Sequence, residues 1–427
     1  MGRPKKITPA VEKAPARLSG SFDLLPGQHL LWGHFMEKFN TLASTFGYTS
    51  IETPSIENAK LFKFWQHAGE NQLVTFSDAK GATIATKPTN LFGLARIYLD
   101  HRFFELERVT KWFYHSPVAH ISPTGEIKQN HEYGFHIFGQ IAPIADAQVI
   151  NMLLKLYTDL GISNLSLEVN NIGCLECLPA YEDVLKNYFR EKKYDLCENC
   201  INYLDTNSPH RILACVNLSC SAVGAEAPAL MDFLCDLCRR HFIGVLEGLD
   251  ELSVVYNLNQ KVIGKPWSRK TVFQIRTRFG ADEVTLGLGG HADDLIQSLG
   301  GPITQSLGFS GRMDGIMRAM DLAQVKFINK NKVDVYLVPL GDLAAKKTLK
   351  LFTDLWSNGI SASEYVGPSS IKTQLKLAES NKISIALIIG QKEARDGTVI
   401  LRDVRSGMQE LFTVDRIIEE VKKRLES

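Results

Sequence analysis

The sequence predicts a mixed α/β protein built from more than one domain, and three observations support that prediction. Residues 111–150 have the pattern of two strands joined by a loop and followed by a helix. All eight cysteines lie between Cys174 and Cys238. From Val333 onward, apolar strands alternate with helices. A chain of 427 residues is long enough for two or three domains, each with its own core.

The composition excludes several classes of protein. The chain carries 48 basic and 47 acidic side chains, so an RNA-binding surface would have to be a local patch rather than a global positive field. No apolar run approaches the ~20 residues of a membrane span. The N-terminus lacks the apolar core of a secretory signal. We therefore expect a cytoplasmic protein that does not bind a membrane.

The N-terminal region predicts a tail followed by a helix and a short strand. Residues 1–17 combine three prolines and five basic residues with little apolar content, which is typical of a disordered segment. A helix is predicted over residues 29–46, and the strand after it ends at Pro54. A second strand near residue 85 runs into another helix.

Residues 111–150 carry the clearest periodic signal. Two sets of side chains alternate over residues 133–138 with the two-residue period of a strand that has distinct faces: Tyr133, Phe135 and Ile137 in one set, and Gly134, His136 and Phe138 in the other. After Pro143, the apolar residues fall on one helical face. Gly161 then occupies the position expected of a helix C-cap.

The cysteines form four pairs at the spacing of metal ligands. Three pairs are CxxC and one is CxxxxC. Two such pairs brought together supply the four thiolates of a tetrahedral Zn²⁺ site, so the spacing predicts one or two structural zinc ions, with His210 or His241 as spare ligands. The alternative is a set of reduced structural thiols. The candidate ligands are Cys174, Cys177, Cys197, Cys200, Cys215, Cys220, Cys235 and Cys238.

The pattern from residue 333 to the C-terminus predicts a separate small α/β domain. Residues 333–340, 361–366 and 382–390 have the pattern of buried strands, with helices over residues 342–356 and 370–380 between them. A further strand near residue 400 and a final helix over residues 414–425 complete the domain.

The stretch 111–150 resembles motif 2 of histidyl-tRNA synthetase, a class II aminoacyl-tRNA synthetase. That resemblance implies an antiparallel sheet with flanking helices as the core of the fold. The matching positions are Tyr114, Pro117, Gly125, Gln129, His131, Gly134, Ile137, Phe138, Gly139, Pro143, Ala145, Asp146, Ala147, Val149 and Ile150.

The charged residues of this motif are replaced. The family's arginine for the ATP α-phosphate falls on Phe113. The glutamate and arginine after it fall on His115 and Ser116. The glutamate that faces the histidine substrate falls on His136.

Further substitutions follow the same resemblance. The glutamate that binds the amino group of histidine falls on Thr89, and the arginine of the histidine-specific loop falls on Ile263. In the segment similar to GGRYDGL, Asp293 is kept while His291 replaces the arginine. The arginine of motif 3 falls on Gly315. Because each lost cationic donor typically costs about 10²–10³ in rate, these changes count against catalysis and against ATP binding.

The resemblance extends over about residues 18–427. It implies a synthetase-like core over residues 18–168 and 251–325, a cysteine-rich helical insertion over residues 169–250 like that of some bacterial members, and an anticodon-binding-like domain over residues 330–427. The helix and strand around residue 48 are similar to motif 1, which forms the dimer interface. We therefore expect a homodimer, or a heterodimer with a true synthetase.

Three functional hypotheses follow. The first is a non-catalytic paralogue that binds tRNA, another structured RNA or a protein partner, with the C-terminal domain contacting the RNA. The second is a histidine–tRNA ligase with a remodelled site. The third is a regulatory subunit of the ATP phosphoribosyltransferase type. For the second hypothesis, the candidate substitute cations are Lys87, His115, Lys128, Arg269 and Arg312.

Overall fold

The computed structural model describes residues 15–66, 72–106, 109–206, 208–326, 333–364 and 370–426. The described residues form two compact units, divided between residues 327 and 328. Of the tail predicted over residues 1–17, residues 1–14 lie outside the described ranges, and residues 15–17 are exposed and lack regular structure.

The first unit combines strands and helices along its whole length. Its strands are β1 Thr49–Ser50, β2 Ile56–Asn58, β3 Thr75–Ser77, β4 Thr83–Thr86, β5 Thr110–Ile121, β6 Ile127–Gly139, β7 Leu165–Asn171, β8 Asn257–Leu258, β9 Arg269–Phe279, β10 Asp282–His291 and β11 Gln305–Arg312. Its α-helices are α1 Pro26–Thr45, α2 Lys63–Gln66, α3 Leu91–Asp100, α4 Ile144–Asp159, α5 Leu178–Glu191, α6 Glu198–Asp205, α7 Leu218–Ala225, α8 Asp236–Glu251, α9 Leu295–Ser298 and α10 Met313–Leu322. Short 3₁₀ turns cover Ala59–Phe62, Phe103–Glu105, Lys193–Asp195, Pro209–Ala214 and Leu230–Phe233.

An eight-stranded sheet, in the order β1-β5-β6-β11-β10-β9-β7-β8, forms the centre of this unit. The β5–β6, β6–β11, β11–β10, β10–β9 and β9–β7 pairs are antiparallel, and only the short edge strands β1 and β8 pair in parallel. A smaller sheet has the order β2-β4-β3. The antiparallel core predicted from the sequence is therefore present.

Strand β6 separates two layers of the protein. On one face, Tyr133, Phe135 and Ile137 are fully buried in the main apolar core. On the other face, His136 and Phe138 lie among a second set of buried residues and the lining of a cavity. Both faces are covered, which explains why residues 133–138 are all buried although they alternate in size.

Helix α1 closes the main core. Trp32, Phe35, Phe39 and Ala43 lie on one helical face and are buried against the sheet. Phe35 and Phe39 make edge-to-face contacts with Tyr133, a geometry that adds to the stabilisation gained by burying aromatic area. Helices α4 and α10 pack against the same core.

The segment between β7 and β8 consists of α5–α8 and the 3₁₀ turns among them. It has an apolar core of its own, in which Leu185, Phe189 and Ile212 are fully buried. Four of the eight cysteines are also buried in this core, namely Cys177, Cys200, Cys220 and Cys238. The core is small for the number of residues that it holds together.

The second unit is an α/β layer. Its strands are β12 Val335–Pro339, β13 Ala362–Glu364, β14 Ile385–Ile389, β15 Thr398–Asp403 and β16 Gln409–Thr413. Its helices are α11 Asp342–Ser357, α12 Ile371–Ser380, α13 Gln391–Asp396 and α14 Val414–Glu426. The sheet order is β13-β12-β14-β15-β16, with β12 parallel to both neighbours and β15 antiparallel to both of its own.

Most predicted elements of the second unit are present, and two were missed. The strands predicted over residues 333–340, 361–366 and 382–390 are observed as β12, β13 and β14, and β14 begins three residues later than expected. Residues 365 and 366 lie outside the described ranges. The two helices between the strands are observed within one residue of their expected bounds. The short helix α13 and the strand β16 were not predicted. The residues of β16 are mostly exposed because it is an edge strand, so its apolar pattern is weak.

We expect Phe39→Ala to lower the free energy of unfolding by about 3–5 kcal/mol, because it opens a cavity in a fully buried aromatic cluster. Phe76→Ala is the matched control, since the Phe76 side chain is half exposed. Its cost should stay below about 1 kcal/mol. Urea unfolding of both variants measures the difference, and an equal loss in the two would contradict the packing described for α1.

Candidate functional site

A cavity of about 360 Å³ lies over the face of the sheet opposite to α1. Strands β5, β6, β10 and β11, the loop before α3 and the loop before β9 all contribute side chains to its walls. Several glycines of β10 and β11 line it, so the backbone itself forms much of the floor. The lining residues used below are Thr89, Tyr114, Glu132, His136, Lys265, His291 and Arg312.

Glu132 provides a buried carboxylate in this cavity. Its Oε1 accepts hydrogen bonds from the Thr89 hydroxyl at 3.1 Å, the Asn90 backbone N–H at 2.8 Å and the Asn90 side-chain amide at 3.1 Å. Burial raises the pKa of Glu132 above its usual value, although the bonds from Asn90 and Thr89 and the charge of Arg312 oppose this. Such a carboxylate can bind an ammonium group that enters the pocket.

Sequence comparison of motifs did not single out Glu132. It expected the amino-group carboxylate at residue 89, where this chain has Thr89. The structure places the Thr89 hydroxyl against Glu132, so the pocket does contain a carboxylate, which strand β6 contributes. The signal available in the sequence was the four-residue spacing between Glu132 and His136, which puts both on one face of a strand.

His136 lies on the floor of the cavity. Its Nε2 is 2.7 Å from the Ser306 hydroxyl. Burial and the neighbouring His291 lower the pKa of His136 to about 3, so its ring is neutral at neutral pH. The ring covers Gly308, where an added Cβ would stand 2.1 Å from Nδ1. The His136 ring can therefore occupy this position only because residue 308 is a glycine and has no Cβ.

Phe113, the position that the resemblance assigns to the motif 2 arginine, does not line the cavity. In the β5–β6 pair, Phe113 is opposite Phe135 and lies in the main core with it. The neighbouring Tyr114 is on the cavity face, opposite Gly134. The side chain that this part of β5 contributes to the cavity wall is therefore Tyr114. Its phenol has a raised pKa because it is fully buried and close to Glu132.

The other two expected arginine positions also lie outside the cavity lining. Ile263 packs against the core of the cysteine-rich segment and borders a neighbouring cavity of about 440 Å³. Gly315 lies in the first turn of α10, where an added Cβ would stand 2.9 Å from the Thr285 carbonyl oxygen. Thr89 and His136, in contrast, are both in the lining as the sequence indicated.

Of the five candidate substitute cations, Arg312 lines the cavity. Lys87 is buried and donates to the Thr53 carbonyl, the Thr53 hydroxyl and the Ser116 hydroxyl, each at 2.9 Å. His115 stacks on His131 on the other face of the sheet. The remaining two form ion pairs elsewhere, Lys128 with Glu126 and Arg269 with Asp294. Lys265, which sequence reasoning did not propose, is a second cationic residue in the lining.

His291 connects two buried carboxylates beside the cavity. Its Nε2 lies 3.0 and 3.1 Å from the two oxygens of Asp146, and its Nδ1 lies 3.2 Å from Asp293. Burial lowers the pKa of His291, but the two carboxylates outweigh burial and raise it to about 9. His291 thus keeps a positive charge at the position where the motif has an arginine.

The eight cysteines form two clusters of four. Cys174 and Cys177 meet Cys235 and Cys238, while Cys197 and Cys200 meet Cys215 and Cys220. The sequence could not show which pairs come together. Neither His210 nor His241 belongs to these clusters: His210 binds Glu182 at 2.8 Å, and His241 lies beside Asp146.

The geometry of both clusters fits zinc. A tetrahedral site with Zn–S bonds of about 2.3 Å places its sulfur atoms about 3.8 Å apart. The Sγ–Sγ distances are 3.7 Å for Cys174–Cys177, 3.9 Å for Cys174–Cys235 and 3.9 Å for Cys197–Cys215. Backbone N–H groups donate to two of the sulfurs, Cys177 and Cys220, at 3.1 Å. Such bonds stabilise thiolates.

Comparison with known proteins places the chain in a family. The histidyl-tRNA synthetase model matches residues 20–223, and the anticodon binding domain model matches residues 334–424. A histidine–tRNA ligase from Pelotomaculum thermopropionicum is 31% identical over 418 residues, covering 96% of this chain and 98% of the relative. Among solved structures, the apo histidyl-tRNA synthetase of S. aureus has a TM-score of 0.79 at 24% identity, covering 96% of this chain and all of that one.

An ATP phosphoribosyltransferase regulatory subunit/histidyl-tRNA synthetase from Bacillus halodurans has a TM-score of 0.63 at 16% identity, covering 91% of this chain and all of that one. At this identity the likeness concerns the fold. No helix in the described part of the chain is both long and apolar enough to cross a bilayer.

The antiparallel sheet with its flanking helices, the cavity on its glycine-rich face and the C-terminal anticodon-binding domain define a class II aminoacyl-tRNA synthetase fold. Within that class, the chain belongs to the histidyl-tRNA synthetase family. The fold and the family expected from the sequence are both confirmed.

We expect Gly308→Ala to cost about 1–3 kcal/mol, because the new methyl group overlaps the His136 ring. In a His136→Ala background, the same substitution should cost much less, since the ring that it meets is gone. A double-mutant cycle by urea unfolding measures this coupling. Gly27→Ala, with no atom within 4 Å of the new Cβ, is the control and should be neutral or slightly stabilising. Equal costs of Gly308→Ala in the two backgrounds would disprove the contact.

Proposed function

We propose that the chain is an ATP-dependent aminoacyl-tRNA ligase with a remodelled active site. The observation that carries this proposal is the hydrogen-bonded carboxylate of Glu132 in a cavity that also contains the guanidinium of Arg312. Relatives aligned over almost the whole chain are named histidine–tRNA ligase. This supports ligase activity more than it supports the non-catalytic hypothesis favoured by the motifs.

In this reaction, the carboxylate of the amino acid attacks the α-phosphorus of ATP and pyrophosphate leaves. A tRNA hydroxyl then attacks the activated carbonyl, and AMP leaves. Glu132 binds the ammonium group of the amino acid, and the neutral His136, which is held by a hydrogen bond with Ser306, contacts its side chain. Arg312 and Lys265 supply positive charge where charge develops on the phosphate. The second unit contacts the tRNA, as its match to the anticodon binding domain supports.

A second candidate is a non-catalytic tRNA-binding paralogue. The observation that favours it is that the three positions to which the family resemblance assigns arginines hold uncharged residues, namely Phe113, Ile263 and Gly315. Each missing donor corresponds to a loss of about 10²–10³ in rate. Both candidates retain tRNA binding, so the chemical step distinguishes them. Pairing with a second copy or with a true synthetase stays a prediction of the family resemblance.

The test is amino-acid-dependent ATP–pyrophosphate exchange, measured beside an active histidine–tRNA ligase. We expect exchange above background, slower than that of the reference because cations are missing. Glu132→Gln should reduce it at least tenfold, since the ammonium group loses its charged partner. Glu126→Gln is the matched control, because Glu126 lies at the surface of the same hairpin and pairs with Lys128. If none of the twenty amino acids supported exchange, the ligase proposal would be wrong, and the non-catalytic tRNA-binding paralogue would be the remaining candidate.

The same proposal assigns one structural zinc ion to each cysteine cluster. Thiolate-only sites are usually closed, so these ions would hold the helical segment together rather than act on substrate. The observation that supports this assignment is the tetrahedral spacing of the sulfur atoms.

We expect Cys174→Ser and Cys215→Ser each to lower the zinc content by one ion per chain relative to the unmodified protein, and the double variant to lower it by two. Elemental analysis of the dialysed protein gives the numbers. Asn199→Ala is the control, because Asn199 is exposed and lies between Cys197 and Cys200 in the sequence. This variant should have the same zinc content as the unmodified protein. Unchanged zinc in both single variants would mean that the thiols are only structural.

A further inference from the structure

A second kind of metal-binding geometry lies outside the cysteine clusters. Asp146 near the start of α4, His241 on α8 and His291 at the end of β10 bring three ligand atoms within 4.8 Å of one another. Two of these residues belong to the synthetase-like core, and His241 belongs to the cysteine-rich segment. All three are buried.

The contacts around Asp146 are not explained by ordinary hydrogen bonding. His291 Nε2 lies almost equally far from both carboxylate oxygens, at 3.0 and 3.1 Å. His241 Nε2 is 3.5 Å from Oδ2 and makes no hydrogen bond, although the residue is only 9% exposed. A proton on His291 would satisfy the pair with Asp146 but would leave the His241 nitrogen without a hydrogen bond and with only its 3.5 Å contact to Oδ2, which is costly in a buried site.

The surroundings of His291 match those of a metal-bound histidine. Its Nδ1 faces the Asp293 carboxylate at 3.2 Å. Asp293 is itself fixed by Lys270 Nζ at 2.7 Å and by the Ser306 backbone N–H at 3.0 Å. A carboxylate that accepts the Nδ1 proton directs the Nε2 lone pair toward a metal, which is the usual arrangement around zinc-bound histidines.

We propose that Asp146, His241 and His291 bind a third metal ion, a divalent transition metal of the zinc type. Two imidazole nitrogens and one carboxylate oxygen form a donor set that such ions prefer, with water as a fourth ligand. One cation would satisfy the unpaired His241 nitrogen and both Asp146 oxygens together. The ion would also link α8 of the cysteine-rich segment to the core beside the cavity.

The test compares the metal content of the full chain with that of two histidine variants. We expect His241→Asn to lose one ion per chain and to keep the ions held by the cysteine clusters. His210→Asn is the matched control, since His210 also pairs with a carboxylate, Glu182, but has no second histidine beside it. Its metal content should equal that of the unmodified protein.

X-ray absorption at the zinc edge supplies a readout that a merely structural histidine would not change. The unmodified protein should show a nitrogen and oxygen component beside the sulfur component, and His241→Asn should lose most of it. Because His241→Asn leaves the His291 contacts with both carboxylates in place, it should still fold. Equal metal content in the His241→Asn and unmodified proteins, with purely sulfur coordination in both, would overturn the proposal and leave a protonated His291 between two carboxylates.

Discussion

The pairing of β5 with β6 is the constraint on which the rest of the structure depends. Their register places Phe113 and Phe135 on the face that packs against α1, and Tyr114, Glu132 and His136 on the face of the cavity. A slip of one residue would exchange the two sets, burying the carboxylate and imidazole in the apolar core. The apolar core therefore fixes the register, and the register determines which side chains reach the cavity.

Two polar groups near the cavity, Glu132 and His291, lie at or beside positions where the motif residues of the family are replaced. A carboxylate is lost at residue 89 and present at Glu132, with a hydrogen bond between Thr89 and Glu132. His291, at the position that the resemblance assigns to an arginine, lies between the carboxylates of Asp146 and Asp293. Both polar groups are buried and contact partners from other elements of the fold, as a buried charge requires.

The cysteine-rich segment depends on different forces. It has an apolar core of its own, and the zinc ions proposed for its two cysteine clusters would cross-link distant parts of the segment and offset the cost of ordering it. The first cysteine pair meets the fourth and the second meets the third, so one cluster joins the two ends of the segment and the other joins its middle. The contact of His241 with Asp146 adds a connection between this segment and the core.

The sequence by itself determined the family, the cysteine pairs and most elements of the second unit, because each depends on local spacing: the two-residue period of a strand, the 3.6-residue period of a helix, a motif, or CxxC. The short helix α13 and the edge strand β16 were not predicted. Tertiary structure alone decided which cysteine pairs meet, that Tyr114 rather than Phe113 faces the cavity, and that Glu132 lies against Thr89. These depend on contacts between residues far apart in the chain. They depend also on the choice between two faces of a strand that are both buried, a choice that an alternating apolar pattern does not specify.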